Sequence, residues 1–140
     1  MIDKEEFYYG AALRLLLHNP RVKAVRQTKF GYIVNEGHFI FLKYTTKVRT
    51  PWGFSFSQED LNCLNVESKN HRSATVGLIC SGDGVCAVKL SDLNYILDFA
   101  AGWVSIRRKF NERYAVKGTE KSLSGKTPLN AWPNAIFQRQ

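Results

Sequence analysis

The segment His38-Phe39-Ile40-Phe41-Leu42-Lys43-Tyr44 constrains the fold more than any other. Successive side chains of a strand point to opposite faces, so a half-exposed strand alternates apolar and polar residues. Here Phe39 to Leu42 are apolar without a break, and both faces of the segment are apolar over its middle. That pattern suits a central strand covered on both sides. Its first charged residue is Lys43, at the point where the strand emerges.

The surrounding sequence supplies the cover. Asp3-Lys4-Glu5-Glu6 is a capping-box pattern, and Phe7, Tyr8, Ala11, Ala12, Leu15 and Leu16 follow at helical spacing. Pro20 cannot continue that helix, which should end near His18-Asn19. Val22–Val25 and Phe30–Val34 read as strands, with a turn at Asn35-Glu36-Gly37. Thr45–Phe56 reads as an irregular loop punctuated by Pro51 and Gly53. Ser57 is placed to cap a second helix, with Asp60 at its third position and Leu61 and Leu64 on its buried face. Ala74–Cys80 and Val85–Leu90 flank a Ser-Gly-Asp-Gly hairpin turn. Ser91-Asp92 is expected to cap a third helix, with Leu93, Ile96, Leu97 and Ala100 inward and Gly102 at its end. Trp103–Arg108 and Arg113–Lys117 form a second hairpin around Phe110-Asn111. Residues 118–140 form a loop-like tail that Trp132 and Phe137 should pin to the body. The expectation is one domain over residues 1–140, of α/β or α+β class. It has a central mixed sheet flanked by about three helices, with an αβββαβ-like core in residues 1–80 followed by two hairpins.

Charge is the second constraint. The chain carries a net +8, and its distribution is uneven. Residues 21–50 have seven cations and one acid, and residues 101–140 have eight and two, so each block is +6. Residues 51–100 are −3. Clustered Lys and Arg raise the local potential and attract polyanions. The alternative is a solvated basic surface kept for solubility. No apolar run approaches the roughly 20 residues of a membrane helix. The acidic start Met1–Glu6 does not fit a signal peptide, so a cytoplasmic protein with no membrane partner is expected. Three cysteines, Cys63, Cys80 and Cys86, argue against a disulfide framework. Cys80 and Cys86 flank a turn, as a redox pair or, better, as two buried thiols. His18, His38 and His71 have no zinc-ligand spacing.

The string Ile40-Phe41-Leu42-Lys43-Tyr44-Thr45-Thr46-Lys47, set in the order helix, strands, helix, strand, resembles the core of the PD-(D/E)XK nuclease-like superfamily over roughly residues 3–80. The resemblance implies that Lys43 stands where that family places a lysine two residues after an acidic metal ligand. In this chain that position is Phe41. The family's other acid would fall near residues 28–35, where no Asp or Glu stands before Glu36. Magnesium binds through carboxylate oxygens, so the resemblance implies a nuclease-like domain without its metal. A relocated site would use Lys43 with Glu36 and Glu6 or Glu5, with magnesium as cofactor. Capping and turn roles account for those acids more simply.

The leading expectation is a protein that binds DNA or RNA without cleaving it and needs no cofactor. Residues 43–54 interleave three cations, three threonines and three aromatics, which suits phosphate contact and base stacking. The binding residues are expected to be Lys43, Tyr44, Lys47, Arg49 and Trp52, with Arg107 and Lys109 of the second hairpin. Phe54 and Phe56 are expected to plug the core. A metal-dependent nuclease is the first alternative, and a regulator meeting an acidic protein partner is the second. Phosphate-binding glycine loops, the G-x-S-x-G elbow and the aromatic strand signatures of RNA-recognition domains are absent.

Overall fold

The computed structural model describes residues 1–138 of the chain. Among them the order is α1 (Lys4–Leu17), β1 (Val25–Gln27), β2 (Tyr32–Val34), β3 (His38–Thr45), β4 (Trp52–Phe56), α2 (Gln58–Asn70), β5 (Ser73–Cys80), β6 (Val85–Lys89), α3 (Leu90–Leu97), β7 (Gly102–Arg107), β8 (Ala115–Gly118) and α4 (Ala131–Asn134), then a 3₁₀ turn at Ala135–Phe137. The fold is α/β, a single domain around a central mixed sheet of order β1-β2-β3-β5-β6. No helix is long and apolar enough to cross a membrane among the described residues.

The unbroken apolar run becomes β3, the middle strand. It is antiparallel to β2 and parallel to β5, with His38 opposite Ser73 and Thr45 opposite Cys80. Alternation divides its side chains. Ile40 and Leu42 pack with Ala12 and Leu16 of α1 and with Trp132 and Ile136 of the tail. Phe39 and Phe41 pack with Leu61 and Leu64 of α2 and with residues of α3 and β7. Gly77 in β5 is required by closeness, because a Cβ there would sit 2.8 Å from Leu42 and 2.9 Å from Trp132.

Local chemistry sets the boundaries. Asp3 with Glu6 and Ser57 with Asp60 form complete capping boxes at α1 and α2. Asn35 and Glu36 both adopt positive φ, and Gly37 N–H donates to Val34 O, a hairpin turn whose twist matches its strands. The Asn35 carboxamide accepts from Lys23 and Ala24 N–H, so residues 22–24 are tied to that turn. The first strand therefore begins at Val25, not Val22.

Four further expectations are corrected. Residues 52–56 are a strand: Trp52, Phe54 and Phe56 point in, Gly53 and Ser55 point out. β4 pairs antiparallel with β7, and β7 with β8, making a separate three-stranded sheet. Helix α3 starts at Leu90 with no side-chain cap, and it ends on Asp98 in the left-handed region, so Gly102 opens β7 instead. Cys80 and Cys86 do not face each other, since Cys86 pairs with Leu78. Both are free buried thiols that burial pushes well above the ordinary range. The tail is not wholly loop-like: it carries α4 and the 3₁₀ turn, Trp132 Nε1 donates to Ala12 O, and Phe137 meets the His38 ring edge-on.

A charged contact joins the two sheets. Arg108 donates through Nε and Nη2 to both oxygens of Asp83, in the β5–β6 turn, and Tyr114 Oη donates to Asp83 Oδ2 at 2.8 Å. The Arg108 hydrogen bonds hold the Asp83 carboxyl below the usual range, aided by Tyr114 and opposed by partial burial. A depressed carboxyl stabilises the fold above its unfolded pKa of about 3.9 and loses that effect as pH falls through the folded value. Asp83→Asn is expected to lower unfolding free energy by about 1–2 kcal/mol at neutral pH. It should also flatten the acid-side fall in stability seen in urea titrations; equal acid slopes in the two proteins would contradict the contact's role.

Candidate nucleic-acid interface

Parity along β3 decides what surrounds Lys43. It shares a face with Phe39 and Phe41, so it emerges toward α2. There Nζ lies 3.1 Å from Asp60 Oδ2 and above the rings of Phe56 and Phe41, at 5.2 and 5.6 Å from their centroids. Asp60 Oδ2 also accepts from Ser57 N–H in the capping box. Tyr44 turns the other way, stacked on Tyr8 at 5.2 Å and edge-on to Tyr9. Tyr9 Oη donates to Leu42 O, and burial pushes its phenol up to about 12. A cavity of about 230 Å³ lined by Glu5, Tyr9, Tyr32 and Lys43 opens here. A second, of about 320 Å³, lies between β3 and β4, lined by Lys43, Tyr44, Gly53 and Ser55.

The arrangement does not fit magnesium. Asp60 is the acid paired with Lys43, and its Oδ2 already receives two donors. Glu5 reaches the cavity wall, but no group of three His, Cys, Asp or Glu side chains converges among the described residues. Glu36 sits in the β2–β3 turn, seven residues from Lys43, roughly 20 Å along an extended strand. Arg26 hydrogen-bonds both its oxygens and lowers its pKa. Glu6 is consumed by the capping box, accepting from Asp3 N–H. Glu36 and Glu6 are thus not brought together with Lys43, and Glu5 shares only the wall of a cavity with it.

Of the expected binding residues, Lys43, Tyr44 and Trp52 are engaged within the fold. Trp52 is 3% exposed, and its Nε1 donates to Lys47 O, so its ring is part of the core and has no free face for a base. Lys47 and Arg49 are exposed on the loop before β4, and Arg107 and Lys109 are exposed at the end of β7. These two places meet. Trp52 pairs with Ile106, and Arg108 N–H donates to Thr50 Oγ1 at 3.2 Å. Arg108 itself turns inward to Asp83, as alternation with Arg107 and Lys109 requires. None of Lys47, Arg49, Arg107 and Lys109 has an ion-pair partner among the described residues.

Three residues of this surface were not singled out from sequence. The sequence marks Asp60 as a helix cap, and the structure also pairs it with Lys43. Trp103 and Lys117 stand on the outer face of β7 and β8, with Lys117 Nζ 5.9 Å from the Trp103 ring centroid. The alternation Trp103-Val104-Ser105-Ile106-Arg107 held the signal, since it sends Val104 and Ile106 inward. Comparison with protein-family models, curated proteins and solved structures finds no match to this chain.

A double-mutant cycle tests the Lys43–Asp60 contact. Each of Lys43→Ala and Asp60→Ala is expected to cost about 1 kcal/mol, with a favourable coupling of about 0.5 kcal/mol in urea unfolding. Strict additivity would mean that the two side chains do not interact in solution.

Proposed function

We propose that this protein binds nucleic acid through the basic rim formed by Lys47, Arg49, Arg107 and Lys109, and does not cleave it. One observation carries the reading: the hydrogen bond from Arg108 N–H to Thr50 Oγ1 ties together cations from two blocks far apart in sequence. Four unpaired cations held close repel one another, and a polyanion relieves that repulsion while releasing its own counterions. The resemblance to the PD-(D/E)XK core adds a reason to consider a nucleic-acid substrate. The order helix, three strands, helix, strand, interrupted by β4, and Lys43 near the end of β3 are what support it, and Phe41 in place of an acid separates binding from hydrolysis.

Affinity for a DNA or RNA oligomer should fall steeply with salt, with a log–log slope of about −3 to −4 for duplex DNA if all four cations contact phosphate. Lys47→Glu with Arg49→Glu should weaken binding at least about tenfold and make the slope shallower. Oligomers incubated with magnesium or manganese should remain intact. Absence of binding at low salt, or indifference to the charge reversals, would overturn the reading. A salt-dependent complex with an acidic protein and no nucleic acid would point to the interaction-module alternative.

A further inference from the structure

The outer side of the three-stranded sheet has a composition of its own. Pairing sets Ser55 opposite Trp103, and Gly53, Ser105 and Lys117 in one row. Arg107 lies opposite Ala115. Trp103 is 44% exposed, and a Cβ built on Gly53 would meet nothing within 4 Å. The indole stands beside the small residues Ser55 and Ser105, with Lys117 Nζ over one side of its ring. Lys117 lies diagonal to Trp103 on one side and to Arg107 on the other, within the reach of long side chains. An accessible aromatic ring flanked by cations on the outer side of a sheet is the chemistry that takes up an unpaired base with its phosphates.

We infer that this face binds single-stranded nucleic acid, one base stacking on Trp103 while Lys117 and Arg107 hold the adjoining phosphates. The inference rests on the rim reading above, with which it shares Arg107, and it adds the class of substrate. A base inside a duplex already has both faces stacked, so Trp103 gives no advantage to double strands. A single strand offers a free face at each base.

The test compares oligo-dT, oligo-rU and a blunt duplex, by anisotropy and by intrinsic fluorescence. Trp52 and Trp132 are 3% and 4% exposed, so quenching on binding reports chiefly on Trp103. Single strands of either sugar should bind more tightly than duplex and quench the emission. Trp103→Ala should weaken single-strand binding about five- to a hundredfold, abolish the quench and leave duplex affinity unchanged. Trp103→Phe should restore most of the single-strand affinity, which separates stacking from misfolding. Wild-type single-strand affinity in Trp103→Ala, or equal binding of duplex and single strands, would overturn the inference while leaving the rim in place. Loss in Trp103→Ala with indifference to Lys47→Glu and Arg49→Glu would sink the rim and support the face. No binding of any oligomer at low salt would remove both.

Discussion

The parallel ladder between β3 and β5, from His38↔Ser73 to Thr45↔Cys80, is the contact on which the other placements depend. It sets β3 in the middle of the sheet and fixes which of its faces meets α1 and which meets α2. Even-numbered side chains, Ile40 and Leu42, go to α1 and the tail; odd-numbered ones, Phe39 and Phe41, go to α2 and the second sheet. A slip by one residue would exchange the two sets and drive Lys43 toward the tyrosines of α1. Burial on both sides makes such a slip costly, because each face offers a packed, differently shaped cavity. The position of Lys43 beside Asp60 follows from that register and not from an attraction between the two charges.

The same frame decides which cations remain free. Arg26 meets Glu36, Lys43 meets Asp60, Arg108 meets Asp83 and Lys126 meets Glu112. Three of these pairs join a basic segment to an acid of a turn or a helix cap, so pairing follows the hairpins and α2. The loop before β4 and the end of β7 have no acid in the adjoining rows of the second sheet. Among the described residues, Lys47, Arg49, Arg107, Lys109 and Lys117 therefore stay unpaired together on the rim and outer face of the second sheet, while Arg26, Lys43, Arg108 and Lys126 are held by acids.

Features set by local chemistry were legible in sequence. Both capping boxes, the Asn35-Glu36-Gly37 turn and the hairpin at Gly82-Asp83-Gly84 each depend on a few consecutive residues, and each can be read from them. The apolar run of β3 announced its own burial. What escaped depended on partners distant in the chain. Trp52-Gly53-Phe54-Ser55-Phe56 alternates perfectly, yet Pro51 and Gly53 look like breaks until β7, some fifty residues later, supplies the ladder. That ladder also separates the tryptophans: it turns Trp52 into the core and Trp103 out to solvent, the reverse of the weight a basic neighbourhood gave to Trp52. Asp60 escaped as a partner of Lys43 because its capping role explained it completely.

The second sheet owes its usefulness as a surface to how firmly its other side is held. Trp52 packs edge-on against Tyr114 with ring centroids 6.3 Å apart, and Tyr114 and Arg108 both bind Asp83 across the gap to the central sheet. The loop bearing Lys47 and Arg49 is fastened at two points, by Trp52 Nε1 to Lys47 O and by Arg108 N–H to Thr50 Oγ1. Ordering a flexible basic loop on a ligand forfeits part of the binding free energy, and ordering long side chains forfeits more. Here the backbone of the rim is fastened by hydrogen bonds and the strands beside it are paired in a ladder, so the side chains of four or five cations are what remains to be ordered. The inward half of each strand, through Trp52, Ile106, Arg108 and Tyr114, thus does for binding what no outward residue could do alone: it holds the outward half still.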